Sequence, residues 1–289
     1  MECMSWNRKR LRHAAHFFWR WGGDAAVPVY ESLGPEFPLA LAPGWLNLGL
    51  WENVWGDPAE AEAACVRLVE TLAEAVPEGG DILDVANGLG SAEPVISRVA
   101  RPRSLTALNI TELQLRAGRG RLAAAGARPV LADAVRLPIA SGSMDGIISV
   151  EAAFHFVPRL AFFREAHRVL RSGGVLAITD VPIERRPRTP AEAVAGLGQL
   201  RLWGVRLGAI DSSRDIARAV ERAGFEDVHM TLCGDRVIDP AARFARRRLP
   251  YVEGLSLPER AATRAFLRHI ELLRRKGIVE YILLTARRP

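Results

Sequence analysis

Five short apolar runs recur between residues 82 and 179, and this alternation of runs with helical segments restricts what the chain can fold into. The runs cover 82–85, 104–110, 129–132, 145–150 and 175–179, with the clearest helical periodicities at 111–125 and 159–170. A short strand that is apolar throughout is buried on both faces, as in parallel sheets. Parallel neighbours need a crossover, usually a helix, between them. Two further runs, 228–233 and 279–285, bring the expected strands to seven. The expectation is an α/β, Rossmann-like, doubly wound and mostly parallel seven-stranded sheet. Ligands in such sheets bind beyond the carboxyl ends of the strands.

At the first of those ends, the run Ile82-Leu83-Asp84-Val85 gives way to Ala86-Asn87-Gly88-Leu89-Gly90. Ser91 is placed to cap the helix whose apolar side is Val95, Ile96 and Val99. A strand, a glycine-containing turn and a helix bring backbone N–H groups toward a ligand at the helix N-terminus. A Cβ there would hold the ligand off the backbone.

The flanks have a different character. Residues 5–21 read as an amphipathic helix with Trp6, Leu11, Phe17, Phe18 and Trp21 on one side. Residues 22–58 are loops punctuated by Pro and Gly and rich in aromatics, among them Tyr30, Trp45 and Trp51. The apolar stretch between Trp45 and Trp51 suits a structural clamp and a lid over an apolar ligand equally well. A helix is expected over 59–76. Beyond Asp180 come helices at 191–208, 213–223, 240–248 and 258–275, interleaved with the last two strands. The expected organisation is a lid (1–58), a core (59–185), and cap helices with the last strands (186–289).

The charge balance is +6, and residues 240–289 carry twelve basic and four acidic residues. A solvated helix face accounts for that excess, and phosphates or acidic lipids are the alternative partners. The three cysteines, Cys3, Cys65 and Cys233, are far apart and form neither a metal spacing nor a disulfide framework, so no metal is expected. With no apolar run near the ~18 residues of a membrane span, stable membrane insertion is not expected, and a cytoplasmic location fits.

Five segments stand in order at the strand ends: Asp84 with Gly88-x-Gly90; Asn109-Ile110-Thr111 with Gln114; Asp133-Ala134; Glu151 through His155; and Arg168-Val-Leu-Arg-x-Gly-Gly leading to Asp180. Together they resemble the class I S-adenosylmethionine-dependent methyltransferases, most of all the bacterial enzymes that modify small natural products and polyketides. The resemblance is strong over 60–181 and faint beyond 185. It implies S-adenosylmethionine as cofactor and S-adenosylhomocysteine as product. It further implies that Ala86, Asn87, Gly88 and Gly90 hold the methionine part, with Asp84 ordering the ammonium. Asn109, Ile110 and Gln114 would face the ribose. Asp133 and Ala134 would meet the adenine. Where many relatives have a glycine and an acidic residue, this chain has Ala86 and Asn109.

Methyl transfer from a sulfonium is an in-line displacement, in which positioning supplies much of the acceleration and a hydroxyl acceptor gains from a base. His155 is the leading base candidate, with Asp180 at the end of the neighbouring strand to orient it or bind substrate. Glu151 either contacts cofactor or substrate, or anchors the loop after it. Tyr30, Trp45, Trp51, Phe154, Phe156 and Trp203 are expected to build an apolar acceptor pocket. The resulting expectation is O-methylation of a small hydrophobic natural product, polyketide- or phenol-like. N- or C-methylation and a non-methylating step such as cyclisation remain open. No nucleic-acid partner is expected, and the aromatic face of helix 5–21 is compatible with a homodimer.

Overall fold

The computed structural model describes residues 40–53, 55–202 and 210–289, the side chains of 201 and 202 excepted. The expected helix over 5–21, Tyr30 and Trp203 lie outside the described residues. After a short 3-10 turn, α1 (Ala61–Ala73) leads into β1 (Asp81–Val85), α2 (Glu93–Ala100), β2 (Ser104–Asn109), α3 (Glu112–Ala124) and β3 (Ala127–Leu131). Then follow β4 (Met144–Ser149), α4 (Arg159–Val169) and β5 (Leu170–Asp180). The remainder comprises α5 (Pro190–Leu202), α6 (Ser213–Arg222), β6 (Glu226–Leu232), α7 (Ile238–Arg248), α8 (Leu257–Arg275) and β7 (Ile282–Arg287).

The seven strands form one sheet in the order β3-β2-β1-β4-β5-β7-β6. β1 to β5 run parallel, and β7 lies antiparallel between β5 and β6. The order reverses between β1 and β4, so the crossovers on either side of that boundary leave by opposite faces and open a crevice there. Alternation along β1 assigns its residues to two cores. Ile82 packs with Val69, Leu72, Ile96 and Leu122 under α1, α2 and α3. Leu83 and Val85 pack on the other face with Phe162, Phe163, Ile216 and Val220 from α4 and α6. Phe162 and Phe163 are fully buried, each worth about 2–3 kcal/mol in apolar transfer. A third cluster joins α7 and α8 to Tyr281 and Val279 beside the sheet.

Three local expectations are corrected. The fifth strand begins at Leu170 rather than 175, because Leu170 pairs with Met144. The same stretch also closes on the chain end, where the Gly173 N–H donates to Arg288 O at 2.8 Å and the Arg288 N–H donates to Gly174 O at 2.9 Å. The last strand starts at Ile282, three residues later than expected. Ser91 does not cap α2; its hydroxyl donates to Gly44 O at 2.8 Å and ties a distant segment to the turn. In the basic C-terminal third, several arginines serve structure. Arg274 pairs with Asp239 and Glu280, Arg246 with Glu271, and Arg260 donates to the carbonyls of Leu249 and Val252.

Beneath the edge of the crevice lies a buried ion cluster. Arg159, at the start of α4, donates through Nε to Asp180 Oδ2 and through Nη1 to Asp211 Oδ2, both at 2.7 Å. Arg159 is 4% exposed and Asp180 fully buried. Removing one partner of such a pair leaves an uncompensated buried charge. Arg159→Ala is therefore expected to lower unfolding free energy by about 3–5 kcal/mol in urea titration. Arg159→Ala combined with Asp180→Asn should recover a measurable part of that loss.

Candidate active site

Beyond the carboxyl ends of β1, β2 and β4, the described residues bound a cleft of about 840 Å³, part of it open to solvent. One wall is the turn after β1. Ala86, Gly88 and Gly90 all have positive φ, at 63°, 59° and 79°. Only Ala86 carries a Cβ in that left-handed region, which costs roughly 1–2 kcal/mol. The turn persists because it is hooked onto β2: the N–H groups of Ala86 and Asn87 both donate to Leu108 O, at 2.7 and 3.2 Å. From behind, α3 presses on it through Gly118, where an added Cβ would stand 2.7 Å from Leu89 O.

A polar network lines this wall. The side-chain amide of Asn109 donates to Gln114 Oε1 at 3.0 Å and to Asn87 Oδ1 at 3.2 Å, and its own Oδ1 accepts from the Thr111 N–H at 2.9 Å. Asn87 in turn donates to Glu93 Oε1 at 2.7 Å. Asn109 is thus committed within the protein, whereas the Gln114 Nε2 has no protein acceptor among the described residues and lies on a residue that lines the cleft. Asp84 lines it too, 1% exposed, with Oδ2 lacking any hydrogen-bond partner. Burial, then the like charge of Glu93, push the Asp84 carboxyl well above the usual carboxylate range.

Opposing requirements meet at Glu151, just past β4. Its φ is +51°, and its backbone N–H donates to Thr179 Oγ1 at 2.7 Å. Its Oε1 accepts from the Leu48 N–H at 2.8 Å and from the Tyr281 hydroxyl at 2.9 Å. Oε2 carries no hydrogen bond among the described residues, and Glu151 lines the cleft. Burial pushes its carboxyl up to about 7, and the two donors oppose that rise only in part.

The segment carrying Leu48 forms a strap across the strand ends. Gly44 O accepts from Ser91, the Asn47 amide donates to Cys65 O at 3.3 Å, and the Leu50 N–H donates to Ala64 O at 2.8 Å. Trp45 on this strap lines the cleft. Trp51 does not: it is fully buried, donates through Nε1 to Leu48 O at 2.8 Å and packs on Phe244 with ring centroids 5.8 Å apart. Of the two readings of this stretch, Trp51 takes the clamp and Trp45 the cleft.

The remaining expected residues divide. His155, Phe156 and Ile110 line the cleft. Phe154 does not; it sits in the core with its ring 4.3 Å from that of His155. Asp180 is not placed to orient His155 or to meet substrate, because both its oxygens are held by Arg159 and it does not line the cleft. Helix α5 packs on α8, where the Gln199 amide donates to Phe266 O at 2.9 Å. Asp133 is exposed beyond the lined wall and accepts from the Val135 N–H at 3.0 Å, while Ala134 is buried behind it. Two functional candidates escaped the sequence. Glu93 reads there as an ordinary first-turn acid. Tyr281 reads as one more strand residue, although a buried tyrosine hydroxyl demands a partner.

A family model described as a methyltransferase domain matches residues 83–178, the span from β1 to β5. The chain is 31% identical over 211 residues to Methyltransferase GfsG of Streptomyces halstedii, covering 71% of this chain and 74% of that protein. The chain belongs to the class I S-adenosylmethionine-dependent methyltransferases. Within this methyltransferase family it is also 29% identical over 232 residues to Erythromycin 3''-O-methyltransferase of Saccharopolyspora erythraea, with 76% of this chain and 74% of the other covered. Among solved structures, that of the [4+2]-cyclase SpnF superposes with a TM-score of 0.69 at 21% identity, over 91% of this chain and 97% of that one. The cofactor is S-adenosylmethionine, and the site fits it. A buried carboxylate oxygen without a partner suits an ammonium, and amide groups rather than a phosphate cradle suit ribose hydroxyls.

The glycines of α3 give a paired test of how the turn is held. At Gly120 nothing lies within 4 Å of an added Cβ, so Gly120→Ala should stabilise the methyltransferase by about 0.5–1 kcal/mol. Gly118→Ala must displace the Leu89 backbone, and a loss of about 1–3 kcal/mol is expected. Chemical denaturation and S-adenosylhomocysteine titration would check both. Only Gly118→Ala should also weaken ligand binding, since only that change moves the turn.

Proposed function

We propose that this methyltransferase transfers a methyl group to a hydroxyl on a small, hydrophobic, polyketide- or phenol-like acceptor. The observation that carries this reading is Glu151: a carboxyl on the cleft wall with one oxygen fixed by two donors and the other unengaged. S-adenosylmethionine supplies the electrophilic methyl group for an in-line displacement. Asp84 accepts from its ammonium, and the amide nitrogen of Gln114 donates toward the ribose. Asp133 and Ala134, at the end of β3, receive the adenine. Glu151 Oε2 takes the acceptor's hydroxyl proton as the oxygen attacks. Its proton affinity near neutrality suits that exchange, because a general base works best with a pKa near the operating pH. His155 and Phe156, from the same loop, then hold the acceptor, with Trp45 closing the apolar side. Masked in sequence by its better-known histidine neighbour, Glu151 thus replaces His155 as first candidate for the base.

The name of one relative, Erythromycin 3''-O-methyltransferase, supports transfer to a hydroxyl of a natural product. No described helix is long and apolar enough to cross a membrane. A second reading, catalysis of a non-methylating step, is favoured by one finding, the likeness to a [4+2]-cyclase.

The test is turnover with S-adenosylmethionine and a panel of hydrophobic phenols and polyketide alcohols, following S-adenosylhomocysteine. Product formation without S-adenosylhomocysteine would favour the second reading over the first. With an accepted alcohol, Glu151→Gln is expected to lower kcat by about 10²–10⁴. The wild-type rate should rise with pH and level off above about 7, as the carboxyl ionises, and the variant should lose that limb. The same carboxyl bears on stability. Its folded pKa is raised, so its contribution is complete below the model-peptide value of 4.5 and is lost as pH rises through about 7. Thermal unfolding of Glu151→Gln should lack that decline.

A further inference from the structure

Asp84 and Glu93 form a buried carboxyl pair with no cation. They are 1% and 0% exposed, and Asp84 Oδ2 and Glu93 Oε2 each lack a hydrogen-bond partner. Neither makes an ion pair among the described residues. The charged and titratable groups on the packed elements do not compensate them. Arg121 of α3 donates to Leu89 O at 3.1 Å, and Cys65 of α1 is a buried thiol whose proton is held tightly by burial. Glu151 and His155 line the same cleft. Asn87 donates to Glu93 Oε1, and the backbone N–H of Glu93 itself also favours the charged form without offsetting burial. Two like charges at such a site cannot both ionise. Burial pushes both carboxyls up, Glu93 to about 7, and the like charge of Glu93 adds to the rise at Asp84.

We propose that Glu93 is a positioning residue of the cofactor seat, sharing with Asp84 a proton that the cofactor's ammonium displaces on binding. The inference rests on the reading of Asp84 as the ammonium's acceptor. The balance is simple: the neutral Asp84 carboxyl gives its proton to solvent as the ammonium, already charged, takes up the counterion position. Glu93 acts at one remove. It holds Asn87, and through Asn87 the turn, and because the two acids cannot both ionise, the shared proton stays on the pair until a cation arrives.

The experiment is calorimetric titration with S-adenosylhomocysteine at pH 6.5 in buffers of different ionisation heat. This ligand carries the ammonium without the sulfonium charge, and its amine stays protonated there. About one proton released per ligand is expected. Affinity should accordingly rise about tenfold per pH unit between about pH 5.5 and 6.5. Glu93→Gln removes the like charge, so its half-point of proton release should move to lower pH; a merely structural Glu93 would weaken binding equally at every pH. In infrared difference spectra, ligand binding should remove a protonated-carboxyl component from the wild type, and that loss should be absent from the Asp84→Asn difference spectrum. The wild-type proton count and band decide the matter even where a variant fails to fold. Binding without proton release overturns the proposal and leaves the cofactor reading intact. Release that persists in Asp84→Asn overturns it as well, assigning the proton to another acid of the cleft. No binding at all overturns the reading of Asp84 itself.

Discussion

The side chain of Asn109 is the constraint on which the cofactor end of the molecule depends. One amide at the end of β2 accepts from the first N–H entering α3, and donates both to that helix and to the turn after β1. Three separate chain segments therefore take their relative positions from a single planar group. Asn109 is 3% exposed, so each of these bonds forms away from competing water, and losing the group would orphan partners on every side. An aspartate here would offer the ribose a charge but no donor to Asn87 or Gln114. The asparagine instead spends itself on architecture.

Around that frame the site divides by chemistry. The β1–β2 side is amide and carboxyl, built for a cation and hydroxyls. The β4 side is apolar except for His155 and Glu151, and the two donors to Glu151 come from residues 48 and 281. Both sides hold backbone in the left-handed region without glycine, at Ala86 and Glu151. Such strain lasts only where the surroundings over-determine it. Here the surroundings are the paired N–H groups on Leu108 O and the bond from Glu151 N–H to Thr179, each anchored in a fully buried strand.

Much of this was legible in the sequence, for a physical reason: strands buried on both faces and helices buried on one leave different periodicities. Strand 1, the turn, Asn109, Gln114 and the cleft position of Glu151 and His155 could be read in order along the chain. What periodicity could not convey was pairing at a distance. Asp180 ends a strand like its neighbours, yet Arg159 claims it. Gly173-Gly174 looks like a stop, yet the chain end at Arg288 zips onto it and lengthens β5. Trp45 and Trp51 flank one apolar stretch, and only the packing of Phe244 separates the wall of the cleft from the core. Glu93 carried no signal, because a helix-start acid looks the same whether water or another carboxyl faces it.

The bond between Tyr281 and Glu151 has a further consequence for how the molecule comes together. Tyr281 immediately precedes β7, which slots antiparallel between β5 and β6 and so completes the sheet. One of the two donors that hold Glu151 therefore lies 130 positions further along the chain, beside the strand that closes the sheet. A change that loosens the seating of β7 would reach the cleft through this one bond, across a distance in sequence that no local motif spans.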